Sequence, residues 1–425
     1  MTNKSPSHPQ SQKPHGKFLG WLRGAPPASR RALLAASFGW MLDSFDVMLY
    51  AMILAYLMKD LGMTKATAGL MGSVTLVASA AGGVIFGVVA DRWGRTKALR
   101  ASILIYSIFT AACGFATTVP MLAVFRVFLG LGMGGEWASG AALVSETWPA
   151  EHRGKALGFV QSFWAVGYAA AALVTAIVYP WLGWRAVFFI GVLPALLVFW
   201  IRSRVEEPAI WREHKSRPAE ADRPSIRSTI RGPLLKTTIL ITVMNACTLF
   251  AWWGFNLWIP GFLSLARDQG GVGLTPRHMS SLVIFMQFGM WLGYLTFGYV
   301  SDVLGRKRTY LIYLTCAAIF VSIYAGTKAP TVLFFLGPFV AFFGTGYFSG
   351  FGALTAELYP TAIRATLQGF TYNVGRVVSA LAPLVIGSLA QTEGFGIAFL
   401  LAAAAFVLAA ILWIWIPETK GRPLA

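Results

Sequence analysis

Stretches of about 20 mostly apolar residues, the length that carries a helix across a bilayer core, recur along nearly the whole chain. They fall at 33–58, 67–90, 98–118, 120–145, 156–180, 184–203, 236–264, 279–300, 309–327, 331–355, 366–390 and 395–416, about twelve in all. One long polar break, Arg202 to Lys236, divides them into six and six. The pattern predicts an all-α membrane protein of two six-helix bundles. A disordered cytoplasmic tail occupies 1–31, the first bundle 32–204, a cytoplasmic linker 205–235, the second bundle 236–417 and a short cytoplasmic tail 418–425.

Composition supports this reading, since 56% of the residues are hydrophobic and only 12% charged, against about 25% charged in soluble domains. The net charge of +18 would suggest nucleic acid in a soluble chain, but here it reads as basic cytoplasmic loops. With both termini inside, 27 of the 35 Lys and Arg fall on the cytoplasmic side, 6 on the other and 2 within spans. The expected location is a plasma membrane, the inner membrane if the source is bacterial. Cys113, Cys247 and Cys316 stand singly in apolar stretches, so neither a disulfide framework nor a metal site is indicated. The first 31 residues lack the pattern of a signal peptide.

The two bundles carry the same loops. Gly87-Val-Val-Ala-Asp91-Arg92-Trp-Gly94-Arg95-Thr-Lys97 returns as Gly298-Tyr-Val-Ser-Asp302-Val-Leu-Gly305-Arg306-Lys-Arg308, and Glu146-Thr-Trp-Pro149 with Arg153 returns as Glu357-Leu-Tyr-Pro360 with Arg364. Asp91 to Asp302 and Glu146 to Glu357 are both displacements of 211 residues. A shared displacement marks a duplicated six-helix unit in parallel orientation, an arrangement that transporters use around a midplane binding site.

At these residues the chain resembles the major facilitator superfamily of secondary transporters. The doubled loop is similar to that superfamily's signature, and Arg126-Val-Phe-Leu-Gly130-Leu-Gly132-Met-Gly134 resembles its fourth-helix motif. Asp43 with Asp46, Gly135-Glu136-Trp, Trp184-Arg185 and Pro417-Glu418 resemble the sialic-acid and lactate/pyruvate proton symporters, with similarity also to aromatic-acid and phosphate symporters. The seventh span lacks the His and Gln-Asp pair of the yeast-type lactate permeases. The resemblance implies transport by alternating access as a monomer, with no cofactor and no enzymatic step.

A charge at mid-membrane is costly, so one found there usually faces a cavity and works. Asp43, Asp46, Arg126, Glu136 and Arg376 are so placed. Asp43 and Asp46 are three apart on the first helix, and two carboxylates crowded in low dielectric do not both stay ionised cheaply. Either they carry the coupled proton, or one is a structural partner for a neighbouring helix. The resemblance to proton-coupled sugar porters implies an Asp46–Arg126 pair that protonation would release. Glu136, beside Gly134 and Gly135, is either a second proton site or a hydrogen-bonding group across a close helix contact.

Arg376 lies mid-span with no charge beside it in sequence, and a fixed guanidinium suits a carboxylate held by two parallel hydrogen bonds. It is either the substrate anchor or the partner of Glu136 or an aspartate. Asn373, Gln161, Tyr372 and Asn256 complete the candidate substrate set, with Asn373 expected as a donor and Tyr372 as packing. Trp252, Trp253 and Phe348 are candidates for shaping the cavity. In the loops, Asp91, Arg92, Arg95, Glu146, Arg153, Asp302, Arg306, Glu357 and Arg364 are expected to form charge pairs across the inner mouth that break as the halves rock.

These features predict a proton-coupled symporter importing a small organic anion, foremost a monocarboxylate such as lactate or pyruvate, with an aromatic acid or sialic acid as alternatives. Anion entry against a negative-inside potential costs about 2.3 kcal/mol per charge per 100 mV, and one proton cancels that for a monoanion. An antiport exporter would carry a Gly-Pro motif in the fifth span, and 158–179 contains no proline.

Overall fold

The computed structural model describes residues 20–207, 233–359 and 364–420. The first half comprises α1 (Gly20–Arg23), α2 (Pro27–Leu61), α3 (Lys65–Trp93), α4 (Arg95–Cys113), α5 (Val119–Thr147), α6 (Ala150–Ile190) and α7 (Ala195–Arg204). The second comprises α8 (Pro233–Ser264), α9 (Pro276–Leu304), α10 (Arg306–Ala325), α11 (Pro330–Thr345), α12 (Phe351–Leu358), α13 (Arg364–Ser379), α14 (Ala382–Thr392) and α15 (Gly394–Leu412). Among the described residues, ten helical stretches are long and apolar enough to span a membrane. One of them, Gly154–Ile201, runs 48 residues and bends at Gly183 (φ 73°), so it makes two passes. With the 19-residue Arg95–Cys113 the count reaches the twelve passes expected.

Most spans expose one face to lipid, but 83% of the apolar window of α2 is buried. A helix apolar all round belongs inside a bundle, and α2 packs against α5, α6 and, in the other half, α8. It begins at Pro27, ahead of the boundary expected near residue 32. Pro at the first turn costs no helical hydrogen bond. Ser29 Oγ donates to Thr147 O (2.7 Å) and Trp148 Nε1 to Ser29 O (2.9 Å), which ties this first turn to the end of α5. Most of the expected 1–31 tail and 205–235 linker lie outside the described residues.

The duplication seen in the loops extends into the packing. Gly82 lies so close to Leu131 O of α5 that a Cβ would overlap that oxygen, and a Cβ on Gly293 would likewise come within 2.5 Å of Phe342 O. Both members of the second contact are 211 residues beyond those of the first. In the eleventh pass the helix breaks between Ser379 and Ala382, because Pro383 has no N–H to continue it and its ring clashes with the carbonyl four residues back. The carbonyl of Pro383 accepts from Trp258 Nε1 at 2.9 Å.

Helix pairs α3–α14, α6–α9 and α2–α8 join the halves. Hydrogen bonds between described residues that cross from one half to the other gather near Lys65. Its Nζ donates to Gln269 O (2.8 Å) and Ala390 O (3.1 Å), Ala66 N donates to Gln391 Oε1 (3.2 Å), and Leu384 N donates to Ser73 Oγ (3.2 Å). The Lys65 ammonium also sits 5.0 Å from the centre of the Phe395 ring. It thus caps the C-terminal carbonyls of α14, the negative end of that helix.

The repeated loops form two equivalent staples at the opposite end. Arg95 binds Glu146 (2.8 Å) and Arg306 binds Glu357 (2.9 Å), each pair inside its own half. The expectation of pairs across the mouth is therefore corrected for these residues: the arginine starts a helix whose neighbour within the same bundle ends at the glutamate. Asp302 adds a 2.5 Å bond to Arg306, while Arg92 is exposed. The side chains of Asp91, Arg153 and Arg364 lie outside the described set.

Each staple has a second carboxylate that the sequence reading missed. Glu207 accepts from Thr96 N (3.1 Å) and Lys97 N (3.3 Å) at the start of α4, and Glu418 from Arg306 N (2.8 Å) and Lys307 N (3.1 Å) at the start of α10. Glu207 and Glu418 are again 211 apart, so the repeat itself was the available signal. Gly94 (φ 116°) and Gly305 (φ 95°) make the preceding turns, and a Cβ on either would run into the capping carboxylate.

Partial burial works against ionisation of Glu418, but the backbone N–H groups of Lys420, Arg306, Lys307 and Thr419 hold its carboxyl below the ordinary range. A depressed acid contributes stability that is present above its unfolded value and is lost as pH falls through the folded one. Glu418→Gln is expected to lower stability near neutrality by about 1 kcal/mol, the scale of a lost N-terminal cap. It should also flatten the loss of melting temperature on acidification, read by a thermal-shift series in detergent.

Candidate substrate cavity and buried acids

A cavity of about 40 Å³ lies between the halves, and Arg376 is the only charged residue among its lining side chains. Around the arginine stand Gln161 and Trp164 of α6, Tyr294 of α9, Tyr372 of α13 and the indoles of Trp252 and Trp253 on α8. Tyr372 and Arg376 are four apart on one helix and so share a face. Trp40 of α2 packs on Trp164 (4.8 Å between ring centres), and Trp164 packs edge-on to Trp253 (5.9 Å). An aromatic wall thus runs continuously from the first half into the second.

Arg376 is 5% exposed and forms no ion pair among the described residues. A buried guanidinium without a carboxylate is costly unless something compensates it. Its electrostatic partners are Asp43 and Glu136, both of which interact with its charge. The pairing alternative for Arg376 is therefore present as a longer-range field rather than as a contact ion pair.

The acids sit in the first half. Asp43, Asp46 and Glu136 are 0%, 1% and 1% exposed. Both oxygens of each aspartate, and Oε2 of Glu136, have no hydrogen-bond partner among the described residues. Glu136 leans on the bare backbone of α2, where a Cβ on Gly39 would lie 2.5 Å from Oε1. Gly39 is one helical turn from Asp43, so Glu136 and Asp43 meet the same face of α2. Tyr106 of α4, which the sequence reading did not single out, interacts with all three acids, and its hydroxyl also lacks a partner.

Two expected placements are corrected. Asp46 and Arg126 do not pair: the guanidinium of Arg126 lies 3.7 Å from the centre of the Tyr50 ring, and its Nε donates to Met71 O at 3.1 Å. Tyr50 is one turn beyond Asp46 and is fixed by its own bond to Ala68 O (2.8 Å), so it presents its face where the arginine arrives. Asn373 and Tyr372 exchange roles. Asn373 donates to Gly369 O of its own helix (2.9 Å), whereas Tyr372 faces the cavity. Asn256 is buried beside Met48 Sδ (3.7 Å) and lies outside the cavity lining. Gln161, Trp252, Trp253 and Phe348 line it as expected; Trp40, Met133, Leu249 and Tyr294 were not anticipated.

A cavity of this size has room for about three waters, well below the 300 Å³ or more of typical ligand sites. A solute of ordinary size does not fit while this cavity keeps its present volume.

Comparison with known proteins agrees with this architecture. The chain matches the Major Facilitator Superfamily over residues 36–270 and 269–425. It is 32% identical to the sialic acid transporter NanX of Escherichia coli (strain K12), with 93% of this chain and 95% of that one aligned. It is 31% identical to the niacin transporter NiaP of Acinetobacter baylyi, with 92% and 94% aligned. Among solved structures, a D-xylose-proton symporter superposes with a TM-score of 0.75 over 93% of this chain and 99% of that one, at 19% identity. By that match and those identities the chain, folded as two six-helix halves, belongs to the Major Facilitator Superfamily and is a multi-pass membrane transporter, not an enzyme.

Proposed function

We propose that this transporter imports an organic acid together with a proton, and that the acid carries one carboxylate on a planar, aromatic or unsaturated body. The observation that carries the reading is Arg376, the sole charged residue among the described residues lining a cavity whose other walls are mostly aromatic rings. A guanidinium takes a carboxylate through two parallel bonds, and indole and phenol faces favour a flat π-system. The relatives named for sialic acid and niacin handle solutes that bear a carboxylate. Lactate and pyruvate, the foremost candidates by sequence, would leave most of the aromatic wall without a partner.

In this reading the cytoplasmic side is the end with the loop staples, in line with the distribution of Lys and Arg. The Lys65 contacts then close the outer side. Asp43, Glu136 and Asp46 hold the proton, and substrate at Arg376 replaces the field of the first two. The protein works as a monomer.

The test is uptake into proteoliposomes of aromatic acids, sialic acid, lactate and pyruvate under an imposed inward proton gradient, with internal pH recorded. Accumulation of a planar acid with parallel internal acidification is expected. Accumulation of lactate but no planar acid overturns the substrate class, and uptake without acidification overturns the coupling.

A further inference from the structure

A second cavity, of about 440 Å³, lies at the staple end of the second half, between the end of α9, the start of α10 and the segment after α15. Its rim holds Lys307, Arg308, Lys420 and Glu418. The single carboxylate offsets only one of the three cations, and its oxygens are occupied by the backbone N–H groups of Arg306, Lys307, Thr419 and Lys420. Lys307 Nζ donates to Ile414 O (2.9 Å) and Lys420 Nζ to Val303 O (2.8 Å). An ammonium has three donors, so each lysine is positioned by one bond and keeps two to offer. Arg308 is exposed and has no ion pair among the described residues.

The loop staple does not need the two lysines. Counting back 211 residues, Lys307 corresponds to Thr96 and Lys420 to Ala209, yet the Arg95–Glu146 pair and the Glu207 cap form in the first half just the same. Beside the rim the surface turns apolar, with Val303 72%, Ile414 61% and Trp415 55% exposed. A tryptophan at that level is characteristic of the membrane–water boundary.

We propose that this cavity binds the phosphodiester headgroup of an anionic phospholipid, whose acyl chains lie along Val303, Ile414 and Trp415. A soluble phosphate ester has the same anion, but only a lipid also uses the exposed apolar strip. Basic cavities at the ends of membrane helices suit anionic headgroups. The site is independent of the transport reading, since it lies away from Arg376 and the acids.

The test is native mass spectrometry of the full chain in detergent, titrated with phosphatidylglycerol or phosphatidylcholine and, in a separate arm, with sn-glycerol 3-phosphate. Retention of phosphatidylglycerol over phosphatidylcholine is expected, with about fivefold weaker retention for each cation removed in Lys307→Gln, Arg308→Gln and Lys420→Gln. Lys97→Gln, the corresponding loop of the first half, should leave retention unchanged, and Lys307→Arg with Lys420→Arg should preserve it. If the neutral variants do not fold, the wild-type preference and the arginine variants still decide. No preference for phosphatidylglycerol in the wild type overturns the proposal. Binding of glycerol 3-phosphate as tight as that of the lipid assigns the cavity to a soluble anion and overturns it equally.

Discussion

Arg376→Ala is expected to abolish carboxylate transport. Removing one partner of a desolvated charge pair typically costs about 2–5 kcal/mol, which is roughly 30-fold to more than 10³-fold in affinity. Arg376→Lys keeps the charge but loses the planar fork, so it should recover only part of the loss. The clean comparison is an aromatic acid against its neutral amide, measured by calorimetry on the purified protein. Wild type should discriminate strongly between the two, and Arg376→Ala should bind both alike. Unchanged affinity for the acid in Arg376→Ala would remove the arginine from the substrate site. Loss of the amide's binding as well would point to collapse of the cavity rather than loss of an anchor.

The second large effect concerns the buried acids. Glu136→Gln and Asp43→Asn replace groups that have partnerless oxygens and act on Arg376 from the first half. A one-unit proton gradient coupled one-to-one to a monoanion supports about tenfold accumulation, since tenfold corresponds to about 1.4 kcal/mol. The double variant should lose that accumulation while still exchanging labelled for unlabelled acid across the membrane. Asp46→Asn, whose carboxyl stands apart from Arg376 and Arg126 alike, should weaken coupling less. Full accumulation in the Asp43/Glu136 double variant, together with its loss in Asp46→Asn, would transfer the proton to Asp46.

Both predictions begin from residues visible in the sequence, because a charge amid twenty apolar residues stands out against its background. The same contrast made the twelve passes and the duplicated loops legible. Rotational and long-range details were not. Tyr372 and Asn373 are adjacent, and which of them faces the cavity is settled by Asn373 bonding its own helix four residues back. The resemblance to proton-coupled sugar porters implies a carboxylate partner for Arg126, but an aromatic face pinned one turn further along receives it. With 16 Trp and 31 Phe in the chain, nothing in the order of residues distinguishes Trp40 from the many aromatic side chains that only pack. Glu207 and Glu418 were within reach, since the 211-residue displacement applied once more would have paired them.

The contact at Lys65 has a bearing on how the transport cycle is timed. Its acceptors are amide carbonyls of Gln269 and Ala390, and carbonyl oxygens do not titrate at any pH a cell meets. A gate built on carboxylates would loosen as its own acids took up protons from an acidic exterior, and would then leak whenever that exterior turned acidic. This one is deaf to acidity. In the proposed cycle the decision to open then falls to the loaded centre, and the proton is counted only after it has reached the acids beside the substrate.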